Sequence, residues 1–272
     1  MAISEKDYVL GTHDEELARL GLQHRAWRSC TSVAWHNAGI RPGQTVLDVG
    51  CGPGYATFDL AELVGPSGRV IAIDKSERFL DALDRERRLR GLENIVTHNI
   101  DFDSGVFPSA TADAAWCRWV FAFLRQPREV LSRLAASIRP GGVIVIHEYF
   151  DYATWRSAPR CAELEEFVSC VMASWRANGG EPDIALSLPR WLEDLGFEIR
   201  ALHPIVSSVQ PGELKWTWLR TFVEIGRQRM VELGAMSESQ AEEIWRAFLG
   251  IEATPGTRMI TPAVLEIVAV RP

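Results

Sequence analysis

No stretch of this sequence approaches the roughly 20 consecutive apolar residues that a membrane-spanning helix needs. Residues 1–20 alternate charged and apolar side chains and lack the apolar block of a secretion signal. No membrane association is expected, and a soluble, cytoplasmic protein is. Cysteine is scarce and shows no pairing: the five positions, Cys30, Cys51, Cys117, Cys161 and Cys170, are odd in number and contain no CxxC spacing. A disulfide framework or a thiolate metal cage is therefore not expected. Clustered carboxylates are missing as well, so no metal is anticipated. Excess positive charge is absent: the formal net charge of -7 repels polyanions, which argues against a nucleic acid as partner. There are no internal repeats and no low-complexity tracts.

What remains is an ordinary globular composition, 47% hydrophobic and 24% charged, enough to fill one sizeable core and cover it. Asp14 to Ala38 reads as a helix on its three-to-four apolar spacing. Strand and helix signals then alternate. Thr45–Val49, Arg69–Ile73, Asn94–Ile100, Ala112–Cys117 and Val143–His147 read as short buried strands, each followed by a helix or a turn. Ser76 is placed to cap the helix ending near Gly91, and Pro127 to open another that Pro140-Gly141-Gly142 stops. Such alternation implies a parallel sheet with right-handed crossovers. Arg156–Ala177 reads as one long helix, Leu188–Leu195 as a short one, Phe197–Val206 as a sixth strand, Lys215–Leu233 and Glu238–Leu249 as helices, and Ala263–Val270 as a last strand. The expectation is one α/β domain over 1–272: an open, mostly parallel seven-stranded sheet flanked by helices. Its core spans about 41–150, 196–210 and 259–272; a helical lid comes from about 1–40, 151–195 and 211–258.

The most informative stretch is Val46-Leu47-Asp48-Val49-Gly50-Cys51-Gly52-Pro53-Gly54-Tyr55. A buried strand ends in a loop with glycine at every second position, and a helix follows. Without Cβ atoms a ligand can lie directly on the backbone, and amides at a helix start favour anionic or polar groups. The dinucleotide spacing G-x-G-x-x-G would place its third glycine at Tyr55, which does not fit. Asp48 just before the loop suits a cationic ligand group, so a zwitterionic amino-acid tail fits better than a pyrophosphate. Asp74 ends the second strand about 20 residues on, where nucleotide folds place a ribose-binding acid.

An acidic residue followed by G-x-G-x-G resembles the first motif of the class I, Rossmann-like S-adenosylmethionine-dependent methyltransferases of small-molecule type. The likeness covers about residues 42–150, and Arg139-Pro140-Gly141-Gly142 matches that family's turn before the fifth strand. It implies S-adenosyl-L-methionine as cofactor and S-adenosyl-L-homocysteine as product. Asp48, Gly50, Cys51, Gly52 and Gly54 would then hold the methionine tail and Asp74, with Lys75 beside it, the ribose. Asp101 and Phe102 would meet adenine, and Cys117 and Arg118 would touch the methionine portion through their backbone. Tyr8 and Gln23, in the N-terminal segment, would help close the site.

Several residues keep two readings. Arg118 is either a ligand contact or a structural ion-pair partner. His147 and Glu148, at the expected end of the fifth strand, are either a catalytic proton acceptor or a satisfied polar pair. Trp155, Trp175, Trp191, Trp216, Trp218 and Trp245 fall in the lid elements, where they either line an aromatic pocket or pack between helices. The function expected is methyl transfer to a small apolar or aromatic metabolite, at O, N or C. The alternative is a non-methylating reaction on the same cofactor-binding fold, such as a cyclisation. A nucleic-acid methyltransferase is disfavoured by the charge and by Cys117-Arg118-Trp119-Val120, which lacks an Asn/Asp-Pro-Pro-Tyr/Phe signature. A homodimer is compatible with this reading.

Overall fold

Thr45–Val49 (β1), Arg69–Asp74 (β2), Ile95–Asn99 (β3), Ala112–Arg118 (β4) and Ile138–Asp151 (β5) run parallel in the computed structural model, which describes residues 14–108 and 112–272. Five further strands are Arg156–Ala158 (β6), Glu198–Ile205 (β7), Ser208–Val209 (β8), Arg258–Ile260 (β9) and Ala263–Val270 (β10). The seven-stranded sheet has the order β3-β2-β1-β4-β5-β10-β7, with β10 antiparallel to both neighbours. The helices are Asp14–Asn37 (α1), Tyr55–Val64 (α2), Glu77–Leu89 (α3), Pro127–Ala136 (α4), Ala162–Ala177 (α5), Leu188–Asp194 (α6), Leu214–Glu232 (α7) and Glu238–Ala253 (α8). Among the described residues no helix is long and apolar enough to cross a membrane.

A parallel sheet must be covered on both faces, and the pleat divides each strand between two cores. Val46 faces one with Trp35 of α1, Phe58 and Leu60 of α2 and Leu83 of α3. Leu47 faces the other with Leu131 and Leu134 of α4, Leu192 of α6 and residues of α5, α7 and α8. Local chemistry fixes the helix ends. Ser76 accepts from the Phe79 amide at 3.3 Å, and Ser237 closes a capping box with Gln240.

Two expectations change. The helix foreseen over Arg156–Ala177 starts at Ala162, and Arg156–Ala158 is a strand. Pro159 explains the break, because proline clashes with a helical residue before it and offers no N–H. β6 joins β9 and β8 in a second, three-stranded antiparallel sheet that no periodicity signalled. The fifth strand is also far longer than Val143–His147, since β10 pairs with it from Val143 to Asp151.

Trp35, 2% exposed, meets Trp116 of β4 edge-on at 5.4 Å between ring centroids, joining α1 to the centre of the sheet. Trp35→Ala should cost roughly 3–5 kcal/mol by leaving a cavity there. Thermal unfolding should show the midpoint falling by about 6 °C or more; an unchanged midpoint would contradict this packing.

Candidate active site

The loop after β1 is pressed flat between two elements. The Gly50 and Cys51 amides both donate to the Ile73 carbonyl, at 2.8 and 3.1 Å. A Cβ on Gly50 would lie 2.2 Å from Cγ2 of Val120, and one on Gly54 would lie 2.5 Å from Cγ of Leu83. Both glycines also have positive φ, +70° and +89°. Only glycine fits either place. The Gly52 amide donates to Oδ2 of Asp74 at 2.8 Å. The amides of Gly50, Cys51 and Gly52 are thus already bonded, which corrects the expectation that they stand free for a ligand. The donors left over belong to the first turn of α2. Its N-cap is Gly54, which offers no side chain, and no acidic residue stands in that turn.

These groups open into one cavity with an empty volume of about 1360 Å³, open solvent at its mouth included. Asp48, Gly50, Cys51, Gly52, Tyr55 and Ala56 form one part of its wall, with Asp74 and Lys75 beside them. Asp48 is buried and accepts from the Thr57 hydroxyl at 2.6 Å. Burial raises its pKa to about 7, against the opposing effects of the Thr57 bond and the Arg118 charge. Asp74, also buried, accepts the Gly52 and Ser76 amides, one on each oxygen, and burial again lifts its pKa above the usual carboxylate range. The Lys75 amide also hydrogen-bonds this carboxylate, which keeps acceptor capacity for a ligand hydroxyl.

Asp101 and Phe102 reach the same cavity from the loop after β3. Asp101 accepts from the Asp103 amide and the Ser104 hydroxyl in a tight turn, and Arg133 of α4 donates to the Phe102 carbonyl. Gln23 of α1 lines the cavity, with its oxygen already taken by Arg19 and by the Trp218 indole. Arg118 lines it from the end of β4. Cys117 does not: its side chain points to the opposite face and is fully buried. Tyr8 lies outside the described residues.

The far wall is aromatic, and its key residue was not foreseen. Trp119 has φ +53°, the single positive value at a non-glycine among the described residues. A large side chain in that region is strained, and such strain gathers at functional sites. Its ring stacks between Tyr149 of β5 (5.3 Å, 10°) and Trp218 of α7 (5.7 Å, 8°), and its amide donates to the His147 carbonyl. Phe123, Trp175 and Phe222 complete this end. Of the six lid tryptophans only Trp175 lines the cavity; Trp155, Trp216 and Trp218 are buried in helix packing. The sequence signal for Trp119 was only its place just past the fourth strand.

His147 and Glu148 do not reach the cavity, and the expectation of a base there is corrected. Because β5 runs on to Asp151, position 147 is inside the strand. The His147 ring packs on Trp116 and meets Glu266 of β10 at 3.0 Å, and burial holds its pKa below the usual histidine value. Glu148 points into the other core and accepts the Ala122 and Tyr149 amides. Burial raises its pKa to about 7. Both are satisfied structural groups. Among the described residues no cluster suited to a metal ion occurs.

Comparison with known proteins agrees with this geometry. Residues 46–142 match the family model described as a methyltransferase domain. An uncharacterized 37.1 kDa protein from a Streptomyces fradiae transposon is 34% identical over 186 residues, 67% of this chain and 51% of that protein. Nocamycin O-methyltransferase of Saccharothrix syringae is 36% identical over 104 residues, 38% of this chain and 37% of that enzyme. The chain thus spans about half or less of the length of these relatives. Among solved structures, a putative methyltransferase from Bacillus halodurans superposes with a TM-score of 0.59 at 15% identity, covering 89% of this chain and 98% of that one.

The raised pKa of Asp48 has a sign that can be checked. The folded chain holds this proton up to about pH 7, whereas an unfolded aspartate releases it near 3.8. The group's contribution to stability is therefore full below pH 4 and lost as pH rises through 7. Asp48→Asn should be more stable than the wild type at pH 8, by up to ~4 kcal/mol, and the gap should shrink as the pH is lowered to 5. A gap independent of pH would mean that Asp48 titrates normally.

Proposed function

We propose that the chain is a class I S-adenosylmethionine-dependent methyltransferase, supported by the methyltransferase-domain match and the methyltransferase relatives, and that it transfers a methyl group from S-adenosylmethionine to a small, flat, largely apolar acceptor. One observation carries the reading. A single cavity joins a glycine cradle, backed by Asp48 and Asp74, to a wall of Trp119, Phe123, Tyr149, Trp175 and Phe222.

The residues present fit the cofactor. At Gly50 and Gly54 a Cβ would collide with packed neighbours, so the loop keeps the flat shape on which a ligand can lie. Asp74 keeps acceptor capacity for a ribose hydroxyl, and Asp101 with Phe102 offers a polar edge beside an apolar face for adenine. When bound, S-adenosylmethionine supplies an activated methyl group on a sulfonium. The protein's part is orientation and exclusion of water. We assign the latter to α1, α5 and α7, of which α7 packs on both others, and which send Gln23, Trp175 and Phe222 into the wall.

The aromatic end restricts the acceptor. Among the described residues it offers no ready base: burial holds the Tyr149 hydroxyl well above its ordinary value, and His147 and Glu148 lie elsewhere. An acceptor that ionises by itself, such as a phenol or an enol, suits such a wall, with oxygen as the favoured atom. Arg19, paired with Glu16 and lying 5.9 Å from the Phe222 ring centroid, places positive charge near that anion. Two relatives named for methylation of small molecules, nocamycin O-methyltransferase and aklanonic acid methyltransferase, support a small-molecule acceptor, and the first supports oxygen as the acceptor atom.

Titration of the purified chain with S-adenosylmethionine should show saturable binding, and flat phenolic or enolic acceptors should release S-adenosylhomocysteine. Asp74→Ala should weaken cofactor binding tenfold or more, the scale of one hydrogen-bonded buried charge. Trp119→Ala should instead raise the KM of the acceptor. Binding without release for any acceptor would overturn methyl transfer and favour a non-methylating reaction.

A further inference from the structure

At the aromatic end of the cavity one hydroxyl is left unused by the fold. Tyr149 of β5 is 5% exposed and lines the cavity, and among the described residues its hydroxyl makes no hydrogen bond. Nor is that oxygen sealed in the packing, as the indole nitrogens of Trp119 and Trp175 are. The space it meets is the cavity. The ring itself is held by its neighbours: Trp119 stacks on it at 5.3 Å, and Tyr152 and Trp175 meet it at 4.8 and 6.2 Å. The main chain is held too. The Tyr149 amide donates to Oε1 of Glu148 at 3.0 Å, and Oε2 of Glu148 accepts the Ala122 amide in the turn that follows Trp119. The ring's position thus depends on the sheet and the turn, and not on the hydroxyl. A buried phenol ordinarily finds an acceptor for its O–H, and here that acceptor is left for a ligand to supply.

The hydroxyl can donate its proton in a hydrogen bond but does not readily lose it. Burial pushes its pKa well up, Tyr152 and Glu148 push the same way, and Arg19 and Arg118 pull against them. Both arginines line the cavity. Arg19 is gripped by Glu16 at 2.7 and 2.6 Å, and Arg118 donates to Oγ1 of Thr31 at 3.1 Å and lies 3.4 Å from Nδ1 of His24. A neutral O–H donor in the field of two guanidinium groups favours a partner rich in lone pairs. A carbonyl or an oxyanion meets that condition; an ammonium does not.

We propose that Tyr149 selects the methyl acceptor by donating its hydroxyl to an oxygen of that molecule, a carbonyl or the oxyanion of an enol or phenol. The inference rests on the acceptor reading above and narrows it. A flat apolar molecule with no oxygen at this point leaves the hydroxyl unpaired and is disfavoured.

The test uses 1-tetralone and tetralin, which share one fused-ring frame and differ by a carbonyl oxygen that can only accept. Each is titrated by calorimetry into the chain saturated with S-adenosylhomocysteine, as wild type and as Tyr149→Phe, which keeps the ring and its stack. Tyr149→Phe should bind tetralone roughly 2- to 10-fold more weakly, the scale of one hydrogen bond, with the affinity for tetralin unchanged. It should also unfold at the wild-type temperature or above, because the hydroxyl it removes has no partner in the fold. Unchanged affinity for tetralone, or equal losses for both probes, would overturn the proposal. So would a lower unfolding midpoint, which would assign the hydroxyl to the fold. If the wild type binds neither probe, the acceptor reading itself falls, and this proposal with it.

Discussion

The amide of Gly52 ties the loop after β1 to the carboxylate that ends β2, and the rest of the site is arranged around that bond. It holds the loop against the sheet edge with Gly50 under Val120 and Gly54 against Leu83, where no side chain fits. The same bond turns the Asp74 carboxylate toward the cavity. Burial makes both Asp74 and Asp48 reluctant to ionise. A fold alone would select against two such carboxylates, and a ligand that donates to them reverses that preference.

A second constraint sits across the cavity. The turn after β4 forces Trp119 into a left-handed backbone, and the stack of Tyr149, Trp119 and Trp218 holds it there. Trp27 of α1 meets both Trp119 and Trp218 edge-on, at 5.2 and 5.5 Å. One aromatic cluster thus links the sheet, the N-terminal helix and α7. Any displacement of these helices changes the acceptor end of the cavity and, through His24 and Thr31, the setting of Arg118.

Much of this was legible in the residues, and for local reasons. Glycine spacing after an apolar strand, an acid ending the next strand and the capping serine at Ser76 are signals carried within a few positions. What escaped was set by distant pairing. The length of β5 is decided by β10, more than a hundred residues later, so His147 looked like a strand end when it is strand interior. The small sheet of β6, β9 and β8 joins two- and three-residue strands that have no periodicity of their own. The strain at Trp119 arises from tertiary packing and could not be read from the chain's order. The amides of the glycine loop were misjudged for a related reason, since their acceptors lie on β2.

The most direct measurement is a crystal structure of the chain grown with S-adenosylhomocysteine. The account predicts density lying along Gly50 to Gly54, with the ribose hydroxyls on Asp74 and the sulfur turned toward Trp119 and Tyr149. Density elsewhere in the molecule, or a cavity without ligand at saturating concentration, would contradict it.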